Sequence, residues 1–173
     1  MPRNLELKVP FNSFDQIIKI LERIKADYIG ESIQKDVYYK INSGLLKLRI
    51  ENGEQSLIKY SRDETGKDRW SDFHVIKFSD VDAEDFFREI FSIETIVEKN
   101  RLVYIYDNTR IHLDKVKDLG EFLELETLVL NGLEDAKKRF KDVIDKLDLD
   151  LKSQIKNSYK ILIDKKRDDF NKV

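Results

Sequence analysis

Carboxylates and cations recur at alternate positions in four short stretches of this chain: Asn4-Leu5-Glu6-Leu7-Lys8, Lys47-Leu48-Arg49, Ile58-Lys59-Tyr60 and Glu124-Leu125-Glu126. A strand points successive side chains to opposite faces. Glu6 therefore shares a face with Lys8, Lys47 with Arg49, and Glu124 with Glu126. Glu6, Glu124 and Glu126 converging from two strands would be a donor set for a hard divalent cation, with Asp114 as a fourth candidate; such a cation takes oxygen ligands and shares substrate phosphates. Lys8, Lys47, Arg49, Lys59, Arg101 and Arg110 all fall in segments that read as strands. Arginine grips phosphate oxygens bidentately and lysine acts as a point charge, so this set suits a phosphate chain. The same alternation is also ordinary for an antiparallel sheet with one wet face. It becomes a site only if the strands close on one another.

Composition narrows the chemistry. With two histidines and no cysteine, any metal site must be mostly carboxylate, which favours Mg2+ or Mn2+ over zinc. His112 reads as a packing or sheet-face residue, with metal ligation as the second reading. Tyr38, Tyr39, Trp70 and Tyr104 read as sheet-packing residues, any one of which could stack on a base. Lysine plus arginine (32) nearly balance aspartate plus glutamate (34), and the net charge of -2 argues against a general nucleic-acid binder. No long apolar run and no apolar signal core appear, so the expectation is a cytoplasmic protein with no membrane attachment.

The elements that must position these residues follow from periodicity. Residues 3–10 alternate as a strand. Ser13-Phe14-Asp15-Gln16 reads as a capping box opening a helix to about Ala26, with Ile17, Ile18, Leu21 and Ile24 on one face. Strands follow at Ile33–Lys40, Leu45–Glu51 and Gln55–Arg62, the last two flanking the hairpin signal Asn52-Gly53. A charged loop is expected at 62–69, then a strand at Ser71–Phe78. Asp82 caps a short helix through Phe91. Strands at Glu94–Tyr106 and Thr109–Asp114 flank Asp107-Asn108, and another runs Phe122–Leu130. Asn131 and Glu134 mark a cap for a helix over about 133–147. A last helix is expected at Ser158–Ile163, with a frayed charged tail at 164–173. The 173 residues read as one α+β domain with a core over about 3–163: some eight strands, mostly in hairpins, in a sheet that curls or closes. Closure would remove sheet edges, so a monomer or a homodimer is equally compatible.

Several segments in order resemble the CYTH superfamily, whose members include class IV adenylyl cyclases, thiamine triphosphatases and inorganic triphosphatases. They are Asn4–Lys8, Gln34-Lys35-Asp36-Val37-Tyr38-Tyr39, Gly44–Arg49, Leu57–Arg62, Val97–Arg101, Thr109–Val116 and Leu119–Glu126. The last two, with Arg69-Trp70-Ser71-Asp72-Phe73, resemble the class IV cyclase-like branch. The resemblance implies a tunnel-shaped, closed antiparallel barrel open at both ends. It implies Glu6, Glu124 and Glu126 as metal ligands, with Asp114 as a further candidate, and Mg2+ or Mn2+ as cofactor. It implies Lys8, Lys47, Arg49, Lys59, Arg101 and Arg110 as phosphate-binding residues, with Lys8, Lys59 and Arg110 taking part in the reaction. The substrate would be ATP or another organic or inorganic triphosphate. Two reactions fit: cyclisation with loss of pyrophosphate, or hydrolysis of the terminal phosphate. A triphosphate-binding module with little turnover is a third reading. It is motivated by Asn4, which stands where the Glu-x-Glu-x-Lys signature has its first glutamate and brings a carbonyl oxygen but no charge.

Overall fold

The computed structural model describes residues 3–62, 70–79 and 82–171; the charged loop expected at 62–69 thus lies, beyond Arg62, outside the described residues. Eight strands close into an antiparallel barrel: β1 (Arg3–Phe11), β2 (Asp27–Tyr39), β3 (Leu45–Glu51), β4 (Glu54–Arg62), β5 (Trp70–Phe78), β6 (Ile93–Tyr106), β7 (Thr109–Val116) and β8 (Gly120–Leu128). Around the barrel the order is β1-β5-β4-β3-β2-β6-β7-β8. Helices α1 (Asp15–Arg23), α2 (Ala83–Ile90), α3 (Leu133–Leu147) and α4 (Tyr159–Phe170) complete the α+β fold. The hairpin turns explain much of the register. Asn52-Gly53 and Asp107-Asn108 each place two successive residues at positive φ (49° and 89°, 45° and 56°), the pattern whose twist matches paired strands.

The apolar half of the alternation faces outward. Leu7, Val9, Ile111, Leu113, Leu123 and Leu125 pack beneath Ile17 and Leu21 of α1 and Val143, Ile144 and Leu147 of α3. On the other flank Val37, Tyr39, Leu46 and Leu48 pack beneath Ala83 and Phe87 of α2. The hydrophobic core therefore lies between barrel and helices. Strand alternation then obliges the charged residues to line the lumen.

A third cluster closes one end. Tyr38, Tyr60, Val97, Val116 and Phe122 meet Tyr159, Leu162 and Ile163 of α4. The C-terminal helix thus packs as a stopper against one end of the barrel. The stopper is fixed where β1, still paired with β8, loses β5: β1 pairs with β5 only through Arg3–Leu5. Farther along, Ile155 N–H donates to Lys8 O (2.8 Å) and Lys8 Nζ donates to Asn157 O (3.0 Å), so the C-terminal segment binds the edge that β5 leaves.

Several local expectations shift. The helix expected to end near 163 continues through Phe170, held by Thr95 Oγ1 donating to Asp164 and Lys166 donating to Asp118 O. The N-cap of α3 is Gly132 (φ 97°), not Asn131, and makes no side-chain cap. At α1, Ser13 Oγ accepts from Asp15 N–H (3.4 Å), one residue short of a capping-box geometry. Among the described residues, no helix is long and apolar enough to cross a membrane.

Candidate functional site

Inside the barrel the lumen-facing positions form a ladder. From the stopper toward the open mouth, β7 presents Val116, Asp114, His112 and Arg110, and β8 presents Phe122, Glu124 and Glu126. Opposite them β1 presents Lys8, Glu6 and Asn4, with Lys8 paired in register to Glu124 and Glu6 to Glu126. A cavity of about 180 Å³ runs among these walls and is lined also by Lys47, Arg49, Lys99 and Arg101. Convergence of the charged faces, the condition that sequence could not supply, is met.

Two carboxylates hold the cations in place. Asp114, fully buried, accepts a bidentate pair from Arg101 (Nε to Oδ1 and Nη2 to Oδ2, both 2.6 Å), with Lys99 Nζ at 3.1 Å and the Tyr159 hydroxyl at 2.9 Å. Asp36 accepts from Arg49 (2.7 and 2.8 Å) and from Lys47 (2.7 Å). Glu124 links the cations of β6 to that of β1, accepting from Arg101 Nη2 (2.7 Å) and lying 3.2 Å from Lys8 Nζ. The Lys8 ammonium also sits 3.8 Å over the Tyr159 ring, so the stopper makes a cation–π contact with the deepest lysine.

Nearer the mouth the character changes. His112, Glu124 and Glu126 each offer a ligand atom, all within 4.8 Å of one another. His112 is buried, and its Nδ1 has no hydrogen-bond partner among the described residues; the nearest Glu126 oxygen is 3.9 Å away. Two carboxylates beside an orphaned imidazole nitrogen are a donor set that fits a divalent cation. Glu6 and Asn4 line the same cavity. Arg110 stands at the rim, its side chain 60% exposed and 3.9 Å from Glu126.

Charge and burial act against each other throughout. Burial pushes the Asp36 carboxyl up, but Arg49 and Lys47 outweigh it and hold the group well below the usual range. Burial likewise opposes ionisation of Asp114, and Arg101 and Lys99 reverse it. Glu124 is held well below its ordinary value, burial being overcome by Lys8, Lys99 and Arg101. On the cation side burial, reinforced by Arg49 and opposed by Asp36, brings Lys47 down to about 7. Burial and Arg101 bring His112 down to about 4, so its imidazole is neutral at neutral pH.

Of the residues singled out from sequence, Lys8, Lys47, Arg49, Arg101, Arg110, Glu6, Glu124 and Glu126 line this cavity. Lys59 does not. Its neighbours Ile58 and Tyr60 face the lumen, so alternation turns Lys59 to the exposed outer surface, and its expected phosphate-binding and reactive roles are corrected. Asp114 is inside and accepts from Arg101, Lys99 and Tyr159, contacts that favour a counter-ion role; His112, not Asp114, is grouped with Glu124 and Glu126 as metal-competent. Sequence reasoning missed Asp36 and Lys99. Both were visible as lumen partners by alternation, Asp36 two residues before Tyr38 and Lys99 two before Arg101. Tyr159 carried no signal, because only the tertiary path of the C-terminal segment brings it into the barrel.

The model of the CYTH domain family matches residues 2–159. Among solved structures, the PH1012 protein of Pyrococcus horikoshii OT3 superposes with a TM-score of 0.80 at 25% identity, covering 92% of this chain and 98% of that one. An adenylate cyclase candidate from Vibrio parahaemolyticus gives 0.75 at 18% identity over 93% and 97%. The Hippeastrum protein HpAC1, an adenylyl cyclase candidate with a dominant triphosphatase activity, gives 0.64 at 13% identity over 86% and 88%. The last two likenesses show the shared fold. No curated protein matches the sequence.

Proposed function

The chain belongs to the CYTH domain family, and from that premise we propose that it is a divalent-metal-dependent enzyme that cleaves a triphosphate inside the barrel between its α- and β-phosphates, in the manner of a class IV adenylyl cyclase acting on ATP. The order of groups along the lumen carries this reading. Among the described residues the stopper packs against one end of the barrel, and Arg110 stands at the other. A triphosphate entering terminal phosphate first meets Lys99, Arg101 and Lys8 at its deep end, with Lys47 and Arg49 on the facing wall. Of the metal-competent carboxylates, Glu124 sits level with those cations and Glu126 lies one lumen position toward the mouth, beside the phosphorus that bears the organic group.

In this reading the deep cations bind and orient the β- and γ-phosphates and stabilise the pyrophosphate that leaves. Glu6, Glu124 and Glu126 hold the cation, and Asn4 adds a neutral oxygen where a carboxylate would favour a second ion. The bound cation supplies charge neutralisation at the reacting phosphoryl oxygens. Arg110 at the rim contacts the α-phosphate. Ile58, Phe73 and Val75 give the β4–β5 wall an apolar surface suited to the organic part of the substrate.

Incubation with ATP, inorganic triphosphate and thiamine triphosphate, each with Mg2+ or Mn2+, tests the reading by product. Cyclic AMP with pyrophosphate from ATP is the expected result. Inorganic phosphate as the main product would put the reaction at the terminal phosphorus and overturn the assignment of the bond. Tight binding with no product under any condition would make the barrel a binding module.

A further inference from the structure

Within the reading of the barrel as a metal-dependent site, on which this inference rests, we propose that His112 Nδ1 is a direct ligand of the divalent cation and that it makes the site select Mn2+ or Co2+ over Mg2+.

Three observations converge on that atom. It is enclosed: His112 is only 4% exposed. It is unused: among the described residues Nδ1 has no hydrogen-bond partner, although buried polar atoms are almost always paired. And it is aimed at the carboxylates: it lies 3.9 Å from Glu126 Oε1, too far for a hydrogen bond, and a ring nitrogen of His112 lies within 4.8 Å of ligand oxygens on both Glu124 and Glu126. The side chain is fixed by the register of β7, between Ile111 and Leu113, which are buried in the outer core. A cation between the three groups would satisfy the orphaned nitrogen and both carboxylates together.

The identity of the ligand set then sets the preference. Mg2+ demands oxygen donors in a near-ideal octahedron and sheds water reluctantly. Imidazole nitrogen is a borderline donor that Mn2+ accepts and that Co2+ accepts more strongly. A purely carboxylate site has no comparable reason to favour these ions.

The test is pulsed electron paramagnetic resonance of Mn2+ bound to the full chain, reading nitrogen modulation from directly coordinated histidine. The chain has two histidines, and His74 lies on β5 with its surface exposed. Uniform 15N-histidine labelling should convert the modulation, which identifies its source as histidine. His74→Gln should retain the signal. His112→Gln should abolish it and lower the Mn2+ to Mg2+ affinity ratio by about tenfold. If His112→Gln does not fold, the labelled wild type and His74→Gln decide alone. Mn2+ bound in the wild type with no histidine nitrogen signal would overturn the inference while leaving a carboxylate metal site intact. A signal lost in His74→Gln would overturn it equally. Absence of any Mn2+ binding would instead overturn the metal-dependent reading on which it rests.

Discussion

Asp36→Asn is the substitution whose consequences are best worked from the geometry. The carboxylate is 2% exposed and neutralises two buried cations, Arg49 at 2.7 and 2.8 Å and Lys47 at 2.7 Å. At an effective dielectric of about 20 and a charge separation of about 4 Å, each pair is worth about 4 kcal/mol. Desolvation takes back much of that. Removal of one member of a buried network, however, leaves the partners uncompensated and costs about 3–5 kcal/mol. For a chain of this size, that is a fall in melting temperature of about 6–20 °C. The assay is thermal denaturation followed by circular dichroism across pH. Folding lowers the Asp36 pKa below its unfolded value of about 3.9, so its contribution is fully present above that pH and is lost as pH falls toward the folded pKa. The gap between wild type and variant should therefore narrow below about pH 4; it should also shrink as pH rises toward 7, because Lys47, at about 7 in the wild type and lower still without Asp36, loses its proton first in the variant. Added inorganic triphosphate should stabilise the variant more than the wild type, because the polyanion replaces the missing charge. A melting point within about 4 °C of wild type at pH 7, unaffected by acid, would refute the counter-ion reasoning.

Other substitutions separate the parts of the site. Glu126→Gln should weaken Mn2+ binding at least about tenfold by titration calorimetry, with under about 1 kcal/mol change in stability, since its pairs to Arg110 and His112 are both 3.9 Å long. Lys59→Ala should leave turnover and triphosphate affinity within about twofold, as an exposed outer-face residue should; a larger loss would mean that it reaches the substrate. Tyr159→Phe should cost about 1.5–3 kcal/mol by chemical denaturation, the range for a hydrogen bond to a charged group, because its hydroxyl donates to buried Asp114.

The barrel was legible because its two periodicities are complementary. Leu5, Leu7 and Val9 on one face of β1 and Asn4, Glu6 and Lys8 on the other define the strand whichever face is buried. What alternation cannot say is which face turns inward. That is decided by α1, α2 and α3, whose apolar faces cover the outside, and no local pattern in the strands encodes it. The same limit explains Lys59. It was grouped with the lumen cations by residue type, while its parity with Ile58 and Tyr60 put it outside. Asp114 reads two ways from sequence because a carboxylate among cations can be ligand or counter-ion, and the bidentate Arg101 geometry favours the counter-ion. The length of β2 was underestimated at its start, where Gly30 (φ 145°) sits beside a register shift that interrupts the pairing with β6. The C-terminal stopper is held by long-range contacts, among them the Ile155–Lys8 backbone hydrogen bond and the Tyr159–Asp114 hydrogen bond, for which sequence offers no cue.

The central claim is that the charged faces form a triphosphate site within the lumen. A crystal structure of the full chain with inorganic triphosphate and Mn2+ tests it most directly. The account predicts the anion inside the barrel, with oxygens within hydrogen-bond distance of Lys8, Lys47, Arg49, Lys99 and Arg101 and the cation at Glu124 and Glu126 on the side toward Arg110. An anion bound on the outer surface, or a lumen still closed by its internal ion pairs at saturating triphosphate, would contradict it.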